Sequence, residues 1–323
     1  MTTSADQSDT YIRLAAKYAG QLSQSRDDLL HLSNLHQDFV NQCFAAIDAS
    51  RARLQRAPTG EIFPHLVAQS LALDDKDRRL LMAAWLALFG YICIVDHELD
   101  QNGYLNGRTS IAASALLGWG VATLGRYAAG TPFADVFLDN VNRAFSGQYE
   151  DMQVRGDPGA DRQLSDTDKN RAIVAAAAGF CAAARESDDR VIRSAEALLG
   201  PFQILDDLED LQEDHGQDNI TIFVRIVRDY ISTAVPLSRN AMYGAIIRDS
   251  RTKAAVVRAA EGIDRALLLL DPNRDLALVD YIADLRDRTA GLIRVLDDYQ
   301  REPAAIKEPE VMRQIEQLAN GSS

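Results

Sequence analysis

No cluster of lysine and arginine stands out in this chain. Acidic residues outnumber basic ones, 47 to 34, giving a formal charge of −13 and a pI near 4.8. Without a basic surface to neutralise phosphates, nucleic acid is not an expected partner. The same charge repels an anionic membrane surface. Cysteine is almost absent: Cys43, Cys93 and Cys181 are far apart in apolar surroundings, with no CxxC and no Cys/His cluster. That leaves no disulfide framework and no thiolate zinc site, and reads as buried thiols in a reducing compartment. The five histidines, His31, His36, His65, His97 and His215, form no HExxH pattern, and neither a GxSxG elbow nor a P-loop occurs. The polar N-terminus lacks the apolar core of a signal peptide. The longest apolar run with few charges, residues 80–95, is shorter than the ~20 residues of a membrane span. We expect a cytoplasmic chain with no stable membrane insertion.

Alternating strand-like patterns are also scarce, whereas helical periodicity is everywhere. Leu29, Leu32, Leu35, Phe39 and Cys43 mark one face of a helix. Apolar spacing and the nine prolines predict helices over 8–23, 26–55, 63–73, 76–101, 109–128, 133–155, 166–186, 188–214, 219–233, 235–248, 251–270, 275–300 and 306–319. The 323 residues, 47% of them hydrophobic, suffice for a large core. The expected organisation is an N-terminal helical extension (1–25), one all-α domain (26–301) and a polar tail (302–323).

Two acidic stretches interrupt this pattern. FQILDDLED, residues 202–210, begins apolar and ends with Asp206, Asp207 and Asp210; YICIVDHELD, residues 91–100, ends with Asp96 and Asp100. On a helix, residues four apart share a face. Asp96/Asp100 and Asp206/Asp210 therefore form two like-charged pairs, each weakening an isolated helix by a few tenths of a kcal/mol. A bridging cation reverses that sign, and hard carboxylate oxygens select Mg2+ or Mn2+. Two such pairs facing each other across a helical cavity would hold a metal cluster able to bind a diphosphate. The competing reading is a solvated acidic face, which suits Asp74-Asp75 and Asp188-Asp189 better than acids emerging from an apolar run.

FQILDDLED resembles the second aspartate-rich motif, FQxxDDxxD, of the trans-isoprenyl diphosphate synthase family. DHELD resembles that family's first motif, DDxxD, with His97 at the second aspartate position. Gly147-Gln148 with Asp151 resembles its GQxxD segment. Lys169 lies where the family has a diphosphate-binding lysine, and Arg108 where an arginine pair follows the first motif. The resemblance spans roughly residues 55–300. It implies an isoprenoid synthase fold: a single bundle of about a dozen helices around a central apolar cavity. It also implies metal held by Asp96, Asp100, Asp206 and Asp210, with Asp207 beside them, and three Mg2+ ions once a diphosphate is bound, Mn2+ being an alternative. A homodimer is expected by the same analogy.

The departures redirect the function. Chain-elongating members bind isopentenyl diphosphate through a GGKRxRP segment. Here that stretch is Pro58-Thr59-Gly60-Glu61-Ile62-Phe63-Pro64, with Gly60 at the lysine position and Glu61 and Phe63 at the arginine positions. A glutamate where a diphosphate must sit is repulsive. Gly107 precedes the lone Arg108, and Asn219 takes the lysine position after the second motif. The resemblance therefore points to a class I terpene synthase. Such an enzyme ionises a linear prenyl diphosphate, from geranyl to geranylgeranyl or longer, lets the cation cyclise or be quenched, and releases pyrophosphate. A divergent prenyltransferase and a non-catalytic subunit of a prenyl synthase are the alternatives. Trp85, Phe89, Tyr149, Phe180 and Gln203 are candidates to line the cavity, with core packing the competing reading for the aromatics.

Overall fold

The computed structural model describes residues 9–54, 59–102, 106–154, 168–216, 221–230 and 237–301. Among these the protein is all-α, with thirteen α-helices, one 3-10 turn and no strand. The helices are α1 (Asp9–Leu32), α2 (Gln37–Leu54), α3 (Thr59–Ser70), α4 (Asp75–Asn102), α5 (Gly107–Ala128), α6 (Ala134–Val154), α7 (Ala172–Ala183), α8 (Arg190–Glu209), α9 (Leu211–Gly216), α10 (Ile222–Tyr230), α11 (Arg239–Arg248), α12 (Ser250–Leu269) and α13 (Leu276–Arg301); the 3-10 turn, Asp168–Arg171, precedes α7. The helix expected over 306–319 lies outside the described residues.

Two boundaries differ from expectation. The first helix does not stop near residue 23. It runs on to Leu32, and the chain turns at Asn34, whose φ is +52°. Asparagine tolerates this left-handed conformation better than most residues. The expected domain boundary at residue 25 thus falls inside α1, and Tyr18 of that helix is fully buried in the main core. The second difference is at Asp210, where α8 ends in a bend before the short α9.

α4 explains the longest apolar run. One face, with Leu81, Met82, Trp85 and Leu88, enters the main core; the other, with Ala83, Leu86, Ala87 and Ile94, packs with α1, α2 and α5 in a second apolar cluster. A helix flanked on both sides must be apolar all round. It is long and apolar enough to cross a membrane, by length and composition, yet 67% of that window is buried within the fold. α7 lies at the centre. Its alanine-rich sequence, AIVAAAAGFCAA, makes it thin and buried nearly all round, so neighbouring helices come close.

The main core passes into a further cluster built on Ile204, Leu208, Phe223, Ile226, Tyr243, Ile246, Val256 and Leu296. Three helices span both. α8 leaves the first core after Leu199 and enters the other at Ile204; α12 changes over between Ile263 and Ala259, and α13 between Leu285 and Leu292. At those crossings stand Pro201, Gly262 and the ion-paired Asp284 and Arg288. A methyl on Gly262 would lie 2.7 Å from the Pro201 ring and 3.0 Å from the Ala197 carbonyl, so glycine allows α12 its close approach to α8.

Candidate functional site

Leu88, Ile92 and Asp96 fall four apart along α4, and Val141, Ala144, Phe145 and Gln148 recur at helical spacing along α6. These two faces form the walls of a cleft, with Tyr91 and Val95 of α4, Val121 of α5, Lys169 of the 3-10 turn and Ala172 of α7. The cleft holds about 430 Å³, counting its open mouth. Its wall is hydrocarbon and aromatic, and Tyr91 and Phe145 meet edge-to-face with ring centroids 5.9 Å apart. Burial raises the Tyr91 phenol pKa, which keeps it neutral. Gln148 and Lys169 supply polar groups, and the Gln148 amide donates to Asp96 Oδ1 at 3.4 Å.

The first acidic motif is thus tied to α6. The second is reached through the 3-10 turn. Asn170 Nδ2 donates to Gln203 Oε1 at 2.9 Å, and Gln203 Nε2 donates to Asp207 Oδ1 at 2.5 Å. Because Gln203 uses both halves of its amide, its orientation is set by its neighbours. Asp206 and Asp210 remain one turn apart although α8 stops at Asp210, whose N–H donates to the Asp206 carbonyl at 2.9 Å. Asp96, Asp206, Asp207 and Asp210 are all half-buried.

Lys169 reaches this site because Gly147 lies under its turn. A methyl at Gly147 would sit 2.5 Å from the Lys169 nitrogen and 2.7 Å from the Asp168 carbonyl carbon. On the outside, Arg143 donates twice to Asp168, at 2.9 and 3.1 Å, and Arg171 donates once at 2.5 Å. Burial pushes the Asp168 carboxyl up, but these two arginines outweigh it and hold its pKa below the usual carboxylate range.

The remaining sequence-derived residues are placed as follows. The backbone of Asp100 is in the last turns of α4, but its side chain, like those of His97 and Asp151, lies outside the described residues. Arg108 is exposed in the first turn of α5, where the Asn106 side chain caps its N–H and that of Thr109 at 3.0 Å. With only residues 103–106 between α4 and α5, this helix start lies at the Asp96 end of α4. Trp85 is buried, donates to the Gly60 carbonyl at 2.7 Å and stacks on Phe89; Phe180 is fully buried; Tyr149 is 63% exposed. None of these four aromatics lines the cleft. Tyr91 and Phe145 do, and for Phe145 the signal was available, since it lies one turn before Gln148.

Of the three positions that the resemblance matches to basic residues in this segment, Gly60 is half-buried and Glu61 and Phe63 are buried. Glu61 is 1% exposed and accepts from Arg26 of α1 at 3.3 Å. Phe63 is 2% exposed and packs edge-on against Phe202 of α8, with centroids 5.6 Å apart, and against Tyr281 of α13. Asn219 lies outside the described residues.

Among the described residues, no three His, Cys, Asp or Glu side chains converge into a group able to hold a metal by themselves. The donor chemistry still fits a hard cation, since Mg2+ is usually held by one or two carboxylates with phosphate oxygens and water completing its shell. Compared with protein-family models and with curated proteins, the chain matches none.

Proposed function

We propose that this chain is a class I terpene synthase with an isoprenoid synthase fold, acting on a linear prenyl diphosphate. The observation that carries this reading is the two-ended cleft. One end is a hydrocarbon wall; the other presents Gln148, which bonds Asp96, and Lys169, whose turn connects through Asn170 and Gln203 to Asp207. An amphipathic ligand with an apolar tail and an anionic head matches both ends.

Asp96, Asp206 and Asp210 would hold Mg2+ or Mn2+, with Asp100 added by the resemblance. When bound, the metal neutralises the charge that develops on the departing diphosphate. Lys169 at the cleft, and Arg108 at the start of α5, donate hydrogen bonds to the pyrophosphate oxygens and hold the leaving group after the carbon–oxygen bond breaks. Gln148 braces Asp96, keeping that carboxylate aimed along the mouth. Leu88, Ile92, Val121 and Val141 keep water from the allylic cation. The ring faces of Tyr91 and Phe145 stabilise it by about 0.5–2 kcal/mol per contact. Burial of Glu61 and Phe63 supports cyclisation or quenching over elongation, because no basic cradle for isopentenyl diphosphate is formed at those positions.

The test is incubation with Mg2+ and geranyl, farnesyl or geranylgeranyl diphosphate, with and without isopentenyl diphosphate. Pyrophosphate and a terpene hydrocarbon or alcohol should appear without the second substrate. Products that form only in its presence would establish a prenyltransferase instead. Pyrophosphate release from none of the substrates would remove the enzymatic reading.

A further inference from the structure

We propose that Asp168 is a positioning residue: gripped by Arg143 and Arg171, it fixes the 3-10 turn that presents Lys169 and Asn170 to the two acidic motifs. The inference rests on reading Lys169 as a diphosphate ligand, though the bracket itself is independent of that role.

The turn is Asp168-Lys169-Asn170-Arg171, with no apolar side chain. Hydrophobic packing, the usual means of fixing a backbone segment, is therefore not available to it, and polar bonds must do so. Asp168, Asn170 and Arg171 each make specific ones. Arg143 of α6 forks onto both oxygens of Asp168, at 2.9 and 3.1 Å, and such two-point grips set geometry as well as energy. Arg171, only 8% exposed, donates to Asp168 at 2.5 Å, to Asn140 of α6 at 2.9 Å and to Glu196 of α8 at 3.1 Å. Asn170 is bonded to Gln203 of α8. On the inner side, Gly147 brings the turn within backbone contact of α6. The turn is held from α6 and α8 at once, and those helices carry Gln148, which bonds Asp96, and Gln203, which bonds Asp207. A shift of Asp168 thus moves Lys169 and Asn170 relative to both motifs together.

The test uses Asp168→Asn, Arg143→Gln and Asp168→Glu, each checked by circular dichroism and thermal melting. Arg143 is 43% exposed, so its variant keeps the experiment usable if Asp168→Asn does not fold. The first readout needs no ligand: the rate at which Lys169 is acetylated by acetic anhydride, followed by mass spectrometry. We expect several-fold changes in Asp168→Asn and Arg143→Gln, and a rate near wild type in Asp168→Glu. The second is calorimetric titration with inorganic pyrophosphate in Mg2+, where the first two variants should bind about tenfold more weakly. Unchanged acetylation in folded Asp168→Asn and Arg143→Gln overturns the bracket. Changed acetylation with no pyrophosphate binding by the wild type leaves the bracket standing and overturns the assignment of Lys169 as a diphosphate ligand.

Discussion

Gly147 and His65 show how single residues constrain this molecule. Adding one methyl at Gly147 forces the Lys169 turn outward, because the obstacle is backbone and not a yielding side-chain end. Gly147→Ala should therefore lower kcat/KM by about tenfold or more with the fold intact, measured by steady-state pyrophosphate release; a 1 Å misplacement is enough for such a loss. On the proposed function, Asp96→Ala and Asp206→Ala, tested in the same assay, should each reduce turnover by roughly 10²-fold or more, since each would remove charge that holds the metal. His65 is a separate matter. It is buried beside Tyr18 and accepts or donates one bond with Ser25 at 3.3 Å. Burial, helped by the nearby Arg78 charge, lowers its pKa to about 4. The unfolded chain takes up that proton near pH 6.5. This site accordingly leaves stability intact above pH 6.5 and removes it as pH falls toward 4, by about 2 kcal/mol at pH 5. His65→Phe should flatten that part of a plot of melting temperature against pH. Residue-level legibility was uneven. The aspartates and Lys169 stand out by spacing and motif, but Asp168 reads as one more surface acid until Arg143, 25 positions away, is seen to grip it. Trp85 was a candidate as an aromatic with a ring face for a cation, yet aromatic residues at helical spacing pack in a core as readily as they line a cavity, and Trp85 is 1% exposed in the main core.

At the scale of elements, α3 and α8 carry most of the argument. α3 turns the first and third residues after Thr59-Gly60 inward, Glu61 toward Arg26 and Phe63 toward Phe202. Glu61→Arg would therefore restore no second-substrate site. It would set a buried cation against Arg26, and should destabilise the protein by about 3–5 kcal/mol in urea denaturation. Most helices follow directly from apolar periodicity. The break at Asn34 was missed because it uses neither proline nor glycine, and asparagine in the left-handed region leaves little trace in a sequence. The stop at Asp210 was hidden for a different reason: DDLEDLQED is uninterrupted helix-forming sequence, and the bend there comes from how the chain packs into its second core.

For the whole molecule, the all-α architecture was evident from the scarcity of alternating patterns, whereas the path of the cleft was not, because it depends on which helix faces oppose each other. If the metal is held jointly with the diphosphate, as proposed, the two should act on stability together. Mg2+ alone should leave the melting temperature nearly unchanged, while Mg2+ with pyrophosphate should raise it by about 2–5 °C, measured by differential scanning fluorimetry. Asp96 and Lys169 adjoin the first core, and Asp206 the second. α8, α12 and α13 change cores at Pro201, at Gly262 and at the Asp284–Arg288 pair. Pro201 has no N–H, so α8 lacks the helical bond to the Ala197 carbonyl at that level. We expect the protein to bend most easily along this line, and such a bend would change the gap between the acidic motifs. The Asn170–Gln203–Asp207 chain spans the same line and resists that bend. Spin labels at exposed Ser114→Cys and Ser250→Cys would report it, since the three native thiols are buried and those of Cys43 and Cys181 are pushed up to about 12. Their distance distribution, broad for the free protein, should narrow when Mg2+ and pyrophosphate draw the two halves to one separation.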